Sequence, residues 1–130
     1  MAIKAKISTK GFDQYFETIR KAGLSIEEAA DRAALAGGNV LKAGMQDRVR
    51  KLTHNLEEHI EIESVVNGTF RGVEVGLLHV DAETARYGTV NEYGSNSVEP
   101  QSFIRATVDE DMKKARVAMR DSLKREGVIE

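Results

Sequence analysis

The side chains able to do chemistry in this chain are few, and their spacing works against them. Three histidines occur, His54, His59 and His79. A separation of five turns helical side chains about 140° apart, so His54 and His59 would not share a face. The zinc-protease pattern places two histidines four apart with Glu directly after the first; His54-Asn-Leu-Glu-Glu-His59 departs from it. A pair of histidines also leaves a three- or four-ligand zinc set incomplete. The chain has no Cys, which removes thiolate zinc sites, thiol nucleophiles and disulfide scaffolds together.

Carboxylates are plentiful, but acid–base catalysis needs two of them in a shared pocket. Asp109-Glu110-Asp111 and Glu57-Glu58 read instead as solvated faces and helix caps. The stretch Gly68-Thr-Phe-Arg-Gly72-Val-Glu-Val-Gly76 is glycine-rich. It falls between alternating apolar runs and not before a helix, so it reads as a turn and not as a phosphate cradle. No catalytic residue, metal ligand or cofactor site is therefore expected. The best basic cluster is Arg48-Val-Arg50-Lys51, with Arg71 and Arg86 elsewhere. It gives the alternative function, a small nucleic-acid-binding regulatory protein using the Arg48–Lys51 helix end. A net charge of −2 and the lack of aromatic stacking partners nearby favour a simpler reading, the charged end of an amphipathic helix.

The elements that would position these residues can be read from periodicity. At 130 residues, 41% hydrophobic and 31% charged, one domain over 1–130 is expected, able to bury roughly two thirds of its unfolded surface. The N-terminal lysines lack the apolar core of a signal peptide, and no apolar run reaches the roughly 18 residues of a membrane span. Phe12, Tyr15, Phe16 and Ile19 share a helical face, and Gly23 supplies a stop. Ser25-Ile-Glu-Glu28 fits a capping box opening a long helix from about Ile26 to Leu52. Its stripe runs through Ile26, Ala30, Ala33, Gly37, Val40/Leu41, Met45, Val49 and Leu52, with Glu28–Arg32 and Asp47–Lys51 spaced as i,i+4 pairs. Gly37-Gly38 implies either a close approach, to a helix or a neighbouring subunit, or a kink.

The period then changes. Ile60–Val66 and Val73–Leu77 alternate as strands, with Leu78–Val80 extending the second, and Asn67-Gly68 predicts a type I′ hairpin turn. Between Asp81 and Gly94 a helical turn around Tyr87–Tyr93 competes with a third strand. Gly94–Pro100 has loop composition. Ile104, Val108, Met112, Ala115, Met119 and Leu123 mark a final helix after a Ser102 cap, closed by Gly127. Acidic residues at its start and basic ones later complement its dipole. The expected fold class is α+β, with a long helix in the N-terminal half and a C-terminal helix packed on a small antiparallel sheet.

Tyr87-Gly-Thr-Val-Asn-Glu92-Tyr93-Gly94, followed after a short loop by Ser102-Phe103-Ile104-Arg105-Ala106, resembles the minor tail-component family of long-tailed bacteriophages. These are neck or tail-completion, head–tail joining proteins. The family's Glu-aromatic-Gly motif matches Glu92-Tyr93-Gly94, and its Pro-Phe-Leu-Arg-Pro-Ala-like helix entry matches Phe103-Ile104-Arg105-Ala106, with Ser102 and Thr107 where prolines are common. Thr53, Leu56 and Ile60 keep the spacing of a second family segment, in which Arg50, His54 and His59 replace Pro, Gly and Ser.

The resemblance implies a virion protein that oligomerises as a ring at the head–tail junction or tail terminus, assembled in the host bacterial cytoplasm. Its partners would be further copies of itself, head-completion or connector proteins and tail-tube proteins, with transient contact with passing DNA and none with membrane. The residues expected to meet partners are Asn67, Gly68 and Arg71 at the hairpin, and Glu92, Tyr93, Gly94, Ser95, Asn96, Phe103 and Arg105 around the loop. Phe103 is also expected to anchor the last helix in the core. Tyr87 and Tyr93 read as packing groups with a polar tip, and Glu92 with Arg105 as a solvated ion pair across the loop.

Overall fold

Local chemistry fixes where each helix begins and stops. A computed structural model describes residues 3–49, 56–68, 70–97 and 99–127. After a first strand, β1 (Ile3–Ser8), Phe12 is buried just before helix α1 (Asp13–Lys21), which buries Ile19 and half-buries Tyr15 and Phe16. Gly23 ends it at φ +79°, with Leu24 N–H returning to the Ile19 carbonyl at 3.1 Å. Ser25 is extended, and its hydroxyl accepts the Glu28 amide at 3.2 Å to open α2 (Ile26–Arg48).

Helix α2 runs through Gly37-Gly38 without interruption, which decides between the two expectations for that pair. A Cβ on Gly37 would lie 2.7 Å from Met119 Cγ, and one on Gly38 would lie 2.9 Å from Val73 Cγ2. The small side chains let α2 press on the sheet and on the last helix of the same chain. The helix stops at Arg48, short of the expected Leu52, because Val49 turns extended at ψ 145°. Leu52, Arg50, Lys51, Thr53 and His54 lie outside the described residues.

After a single 3-10 turn at Leu56–His59 come β2 (Glu61–Asn67) and β3 (Phe70–Leu77), then α3 (Ala82–Tyr93) and α4 (Ile104–Gly127). The class is α+β, as expected. The three-stranded sheet is antiparallel in the order β1-β3-β2, with Ile3 opposite Leu77 and Glu61 opposite Gly76. Its third strand is thus β1, from Ile3-Lys-Ala-Lys-Ile-Ser8; residues 82–93 form a helix, and Leu78–Val80 do not extend β3. The hairpin also shifts by one residue from its expected register. Asn67 still pairs with Phe70, so Gly68, at φ +60°, is the first central residue of the turn.

Ile3, Ala5 and Ile7 of β1 and Val73, Val75 and Leu77 of β3 point inward. They meet Leu41 and Met45 of α2 and Phe103, Ala115, Met119 and Leu123 of the C-terminal segment in one core. The other sheet face is wet and charged. Glu74, at its centre, holds Lys4 at 3.1 Å and Lys6 at 3.9 Å.

Candidate functional site

The residues behind the Glu-Tyr-Gly and Phe-Ile-Arg segments converge on one clasp joining α3 to α4. Helix α3 starts at Asp81, whose carboxylate accepts the Thr84 amide at 2.8 Å, and ends at Gly94, whose N–H donates to the Val90 carbonyl at 2.7 Å. Gly94 takes φ +81°, a backbone region that L side chains rarely enter. One residue earlier in the last turn than Tyr93, Glu92 is fully buried (0% exposed). Its carboxylate accepts the Ile104 amide at 2.8 Å, the Arg105 amide at 3.0 Å and Arg105 Nε at 3.1 Å.

Two of the orphan N–H groups that open α4 are therefore capped by a side chain from another helix, placed where the helix dipole favours negative charge. Ser102, the expected cap, instead donates its hydroxyl to the Glu92 carbonyl at 2.9 Å, and Arg105 Nη2 donates to the same carbonyl at 3.1 Å. Gln101 N–H donates to the Asn91 carbonyl at 2.7 Å, closing the loop at its base. Phe103 is fully buried beside this clasp.

These positions correct several expectations. Glu92 and Phe103 are interior framework and present no surface to a partner, since neither is exposed at all. The Glu92–Arg105 pair is not solvated on both sides, because only its arginine reaches water, with a side chain 57% exposed. Tyr93 is 58% exposed with the Arg105 guanidinium 5.1 Å from its ring centroid, so it is a surface group and not a packing group. Tyr87 also reaches the surface. Ser95 and Asn96 are exposed on the loop.

Beside the clasp, between β1 and the facing ends of α3 and α4, runs a groove of about 700 Å³. Ile3, Lys4, Ala5 and Lys6 form one wall, and Tyr93 and Arg105 stand on the other. The hairpin residues are elsewhere. Asn67, Gly68 and Arg71 lie at the Ser8 end of the sheet, whereas α3 packs Gly88 against Leu77 and Ile3 at the opposite end. The expected contact residues thus form two patches, separated by the length of a six-residue strand. Arg71 is tied down, its Nη1 2.8 Å from Asp31 Oδ1.

The basic helix end is likewise occupied at its first residue. Arg48 Nη1 donates to Asp111 Oδ2 at 2.7 Å and Thr107 Oγ1 at 3.1 Å, and Nη2 donates to Glu110 Oε1 at 3.1 Å. The hydrogen bond and charge of Arg48 hold the Asp111 carboxyl below the usual aspartate value, and the same bond raises Arg48. Gly44 makes room for this bridge, since a Cβ there would sit 2.2 Å from Asp111 Oδ2. The nucleic-acid alternative is left with Arg50 and Lys51, outside the described residues. His79 is exposed and 2.9 Å from Glu63, whose hydrogen bond raises its pKa. Among the described residues, no three His, Asp or Glu side chains gather in a way that would hold a metal ion, and no helix is long and apolar enough to cross a membrane. No family model, curated protein or solved structure matches this chain.

Proposed function

We propose that this chain is a structural subunit of a bacteriophage virion, placed at the head–tail junction or tail terminus, where copies assemble into a ring joining the neck to the tail tube. One observation carries the reading. Glu92-Tyr93-Gly94 and Ser102-Phe103-Ile104-Arg105, separated by a loop, come together through the buried Glu92 carboxylate to lock α4 to α3. A motif pair of that kind serves architecture, holding a loop in place on a rigid frame, where partner contacts concentrate. Tyr93, Ser95, Asn96 and Arg105 are the side chains this frame presents.

In this role the chain carries no catalytic site and takes no cofactor. Its partners are further copies, a head-completion or connector protein and a tail-tube protein, with DNA passing through the ring in transient contact. The test is mass photometry or sedimentation of the chain alone and with the tail-tube and head-completion proteins of the same phage. Assembly in either setting is expected. A chain that stays strictly monomeric and ignores every neck and tail partner would overturn the proposal.

A further inference from the structure

Both outer strands of the sheet end in an open edge, and the two edges carry opposite charge. The parity of the ladder follows from one bond. Thr9 N–H donates to the Arg71 carbonyl at 2.9 Å, continuing the register in which Ile7 faces Val73. In an antiparallel pair, hydrogen-bonded and non-bonded residue pairs alternate. Ile3, Ala5 and Ile7 therefore spend their backbone groups on β3, while those of Lys4, Lys6 and Ser8 point away from the sheet. The Ser8 carbonyl does so visibly, taking Arg116 Nη1 at 3.4 Å. By the same alternation, Gly72, Glu74 and Gly76 bond Val65, Glu63 and Glu61, so Ile62, Ser64 and Val66 direct their backbone groups to the free edge of β2. Among the described residues no strand pairs with either edge.

On the wet face, β1 carries Lys4 and Lys6, and β2 carries Glu61 and Glu63. The two lysines share the single Glu74 carboxylate, which leaves positive charge in excess at that edge. Glu61 is exposed, and Glu63 is half exposed beside His79, whose Nε2 is 2.9 Å from its carboxylate. An edge strand is a template for another strand unless something deters pairing, and charge decides which one is admitted. Pairing β1 with β1 would set lysine against lysine, and β2 with β2 glutamate against glutamate; like charges directly opposite are destabilising. Only the pairing of β1 with β2 brings opposite charges together.

We infer that copies of this chain join head to tail, with β1 of one copy adding to β2 of the next to continue the sheet. This rests on the reading of the chain as a self-assembling subunit and names its interface. Both strands run opposite to β3, so a sheet continued with the wet faces of both copies on the same side makes the new pair parallel. Residues Lys4 and Lys6 then lie beside Glu61 and Glu63 of the adjoining copy on one face. The groove between β1 and Tyr93 is where the incoming strand lies. A contact between two different patches is heterologous, the kind that closes into rings or runs into filaments.

Sedimentation of four samples of the full chain tests this: wild type, Lys4→Glu/Lys6→Glu, Glu61→Lys/Glu63→Lys, and an equimolar mixture of the two variants. Far-UV circular dichroism confirms that each variant folds. Wild type is expected to self-associate, and each variant alone to associate roughly tenfold or more weakly, because like-charge juxtaposition across an interface is costly. The mixture is expected to regain association, since each reversed edge then meets a complementary one. Where wild type assembles only with the tail-tube protein, the same four samples are compared in its presence. Assembly unaffected by either reversal, or lost and not restored on mixing, would overturn the interface and leave self-assembly standing. A wild-type chain monomeric in every setting would overturn both.

Discussion

Removing the Glu92 carboxylate should cost this protein more than any exposed helix cap. Two backbone amides, Ile104 at 2.8 Å and Arg105 at 3.0 Å, lose their acceptor in Glu92→Ala. Hydrogen bonds to a charged group contribute about 1.5–3 kcal/mol each, and a buried donor left unpaired keeps its desolvation cost. The arginine contributes less, because its side chain is 57% exposed and an ion pair open to solvent is worth about 0–1 kcal/mol. Taking the lower figure for both amides gives a loss of about 3 kcal/mol for Glu92→Ala. Glu92→Gln keeps one acceptor oxygen, turns its amide group toward the other donor and removes the charge at the helix start, for about 2 kcal/mol. Arg105→Ala should cost about 1 kcal/mol, as should Asp81→Ala at the exposed cap of α3. Urea denaturation followed by circular dichroism, with slopes compared to confirm a common two-state transition, gives all four values. If Glu92→Ala is no worse than Arg105→Ala or Asp81→Ala, the carboxylate is not what holds α4 to α3.

Other consequences can be checked on the same protein. Gly44→Ala should destabilise by about 1–3 kcal/mol in spite of alanine's better helix propensity, because its Cβ would fall 2.2 Å from Asp111 Oδ2. Gly37→Ala should also lower the midpoint of a thermal melt, because its Cβ would fall 2.7 Å from Cγ of the fully buried Met119. Arg48 and Arg32 lower the pKa values of Asp111 and Glu126 in the folded chain from ordinary values of 3.8 and 4.5. Their contribution is present in full above those values and is lost as pH falls through the lower folded-state ones. Urea midpoints should accordingly fall on acidification, less steeply in Asp111→Asn. His79 is raised above 6.5 by Glu63, so this contact stabilises below pH 6.5 and fades as pH rises through the folded-state value. An NMR titration should find the upward shift in wild type and a smaller one in Glu63→Gln, where Glu61 and Glu74 still raise the imidazole.

Helices with a strong apolar stripe were legible because burial and periodicity coincide; the hairpin was legible from its alternation and its Asn-Gly turn signal, although no residue of β2 is fully buried and Val66 is 60% exposed. Phe12 and Ile19 face the core as their spacing requires, and the stripe of α4 is buried at Ile104, Ala115, Met119 and Leu123 and partly buried at Val108 and Met112. Helix α3 was ambiguous for a physical reason. It buries Thr84, Ala85, Gly88, Asn91 and Glu92, so its inward face is small or polar and leaves no apolar period. Strand β1 had a signal in Ile3-Lys-Ala-Lys-Ile-Ser8, a clean alternation at the start of the described chain that is easily read only as an absent signal peptide. The clasp was half legible. The motif residues stood out, but that Glu92 would cap a helix twelve residues on depends on a tertiary approach that no local spacing encodes.

The sheet order also dictates a waiting time in synthesis. Strand β1 has its hydrogen-bonding partner in β3, with Ile3 opposite Leu77, so a nascent chain exposes the alternating apolar residues of β1 well before their ladder can form. At 5–20 residues per second the interval is about 4–15 s. Throughout it, both sides of β1 are unpaired, and the lysines at positions 4 and 6 are the residues that discourage newly made neighbours on the same polysome from pairing through it.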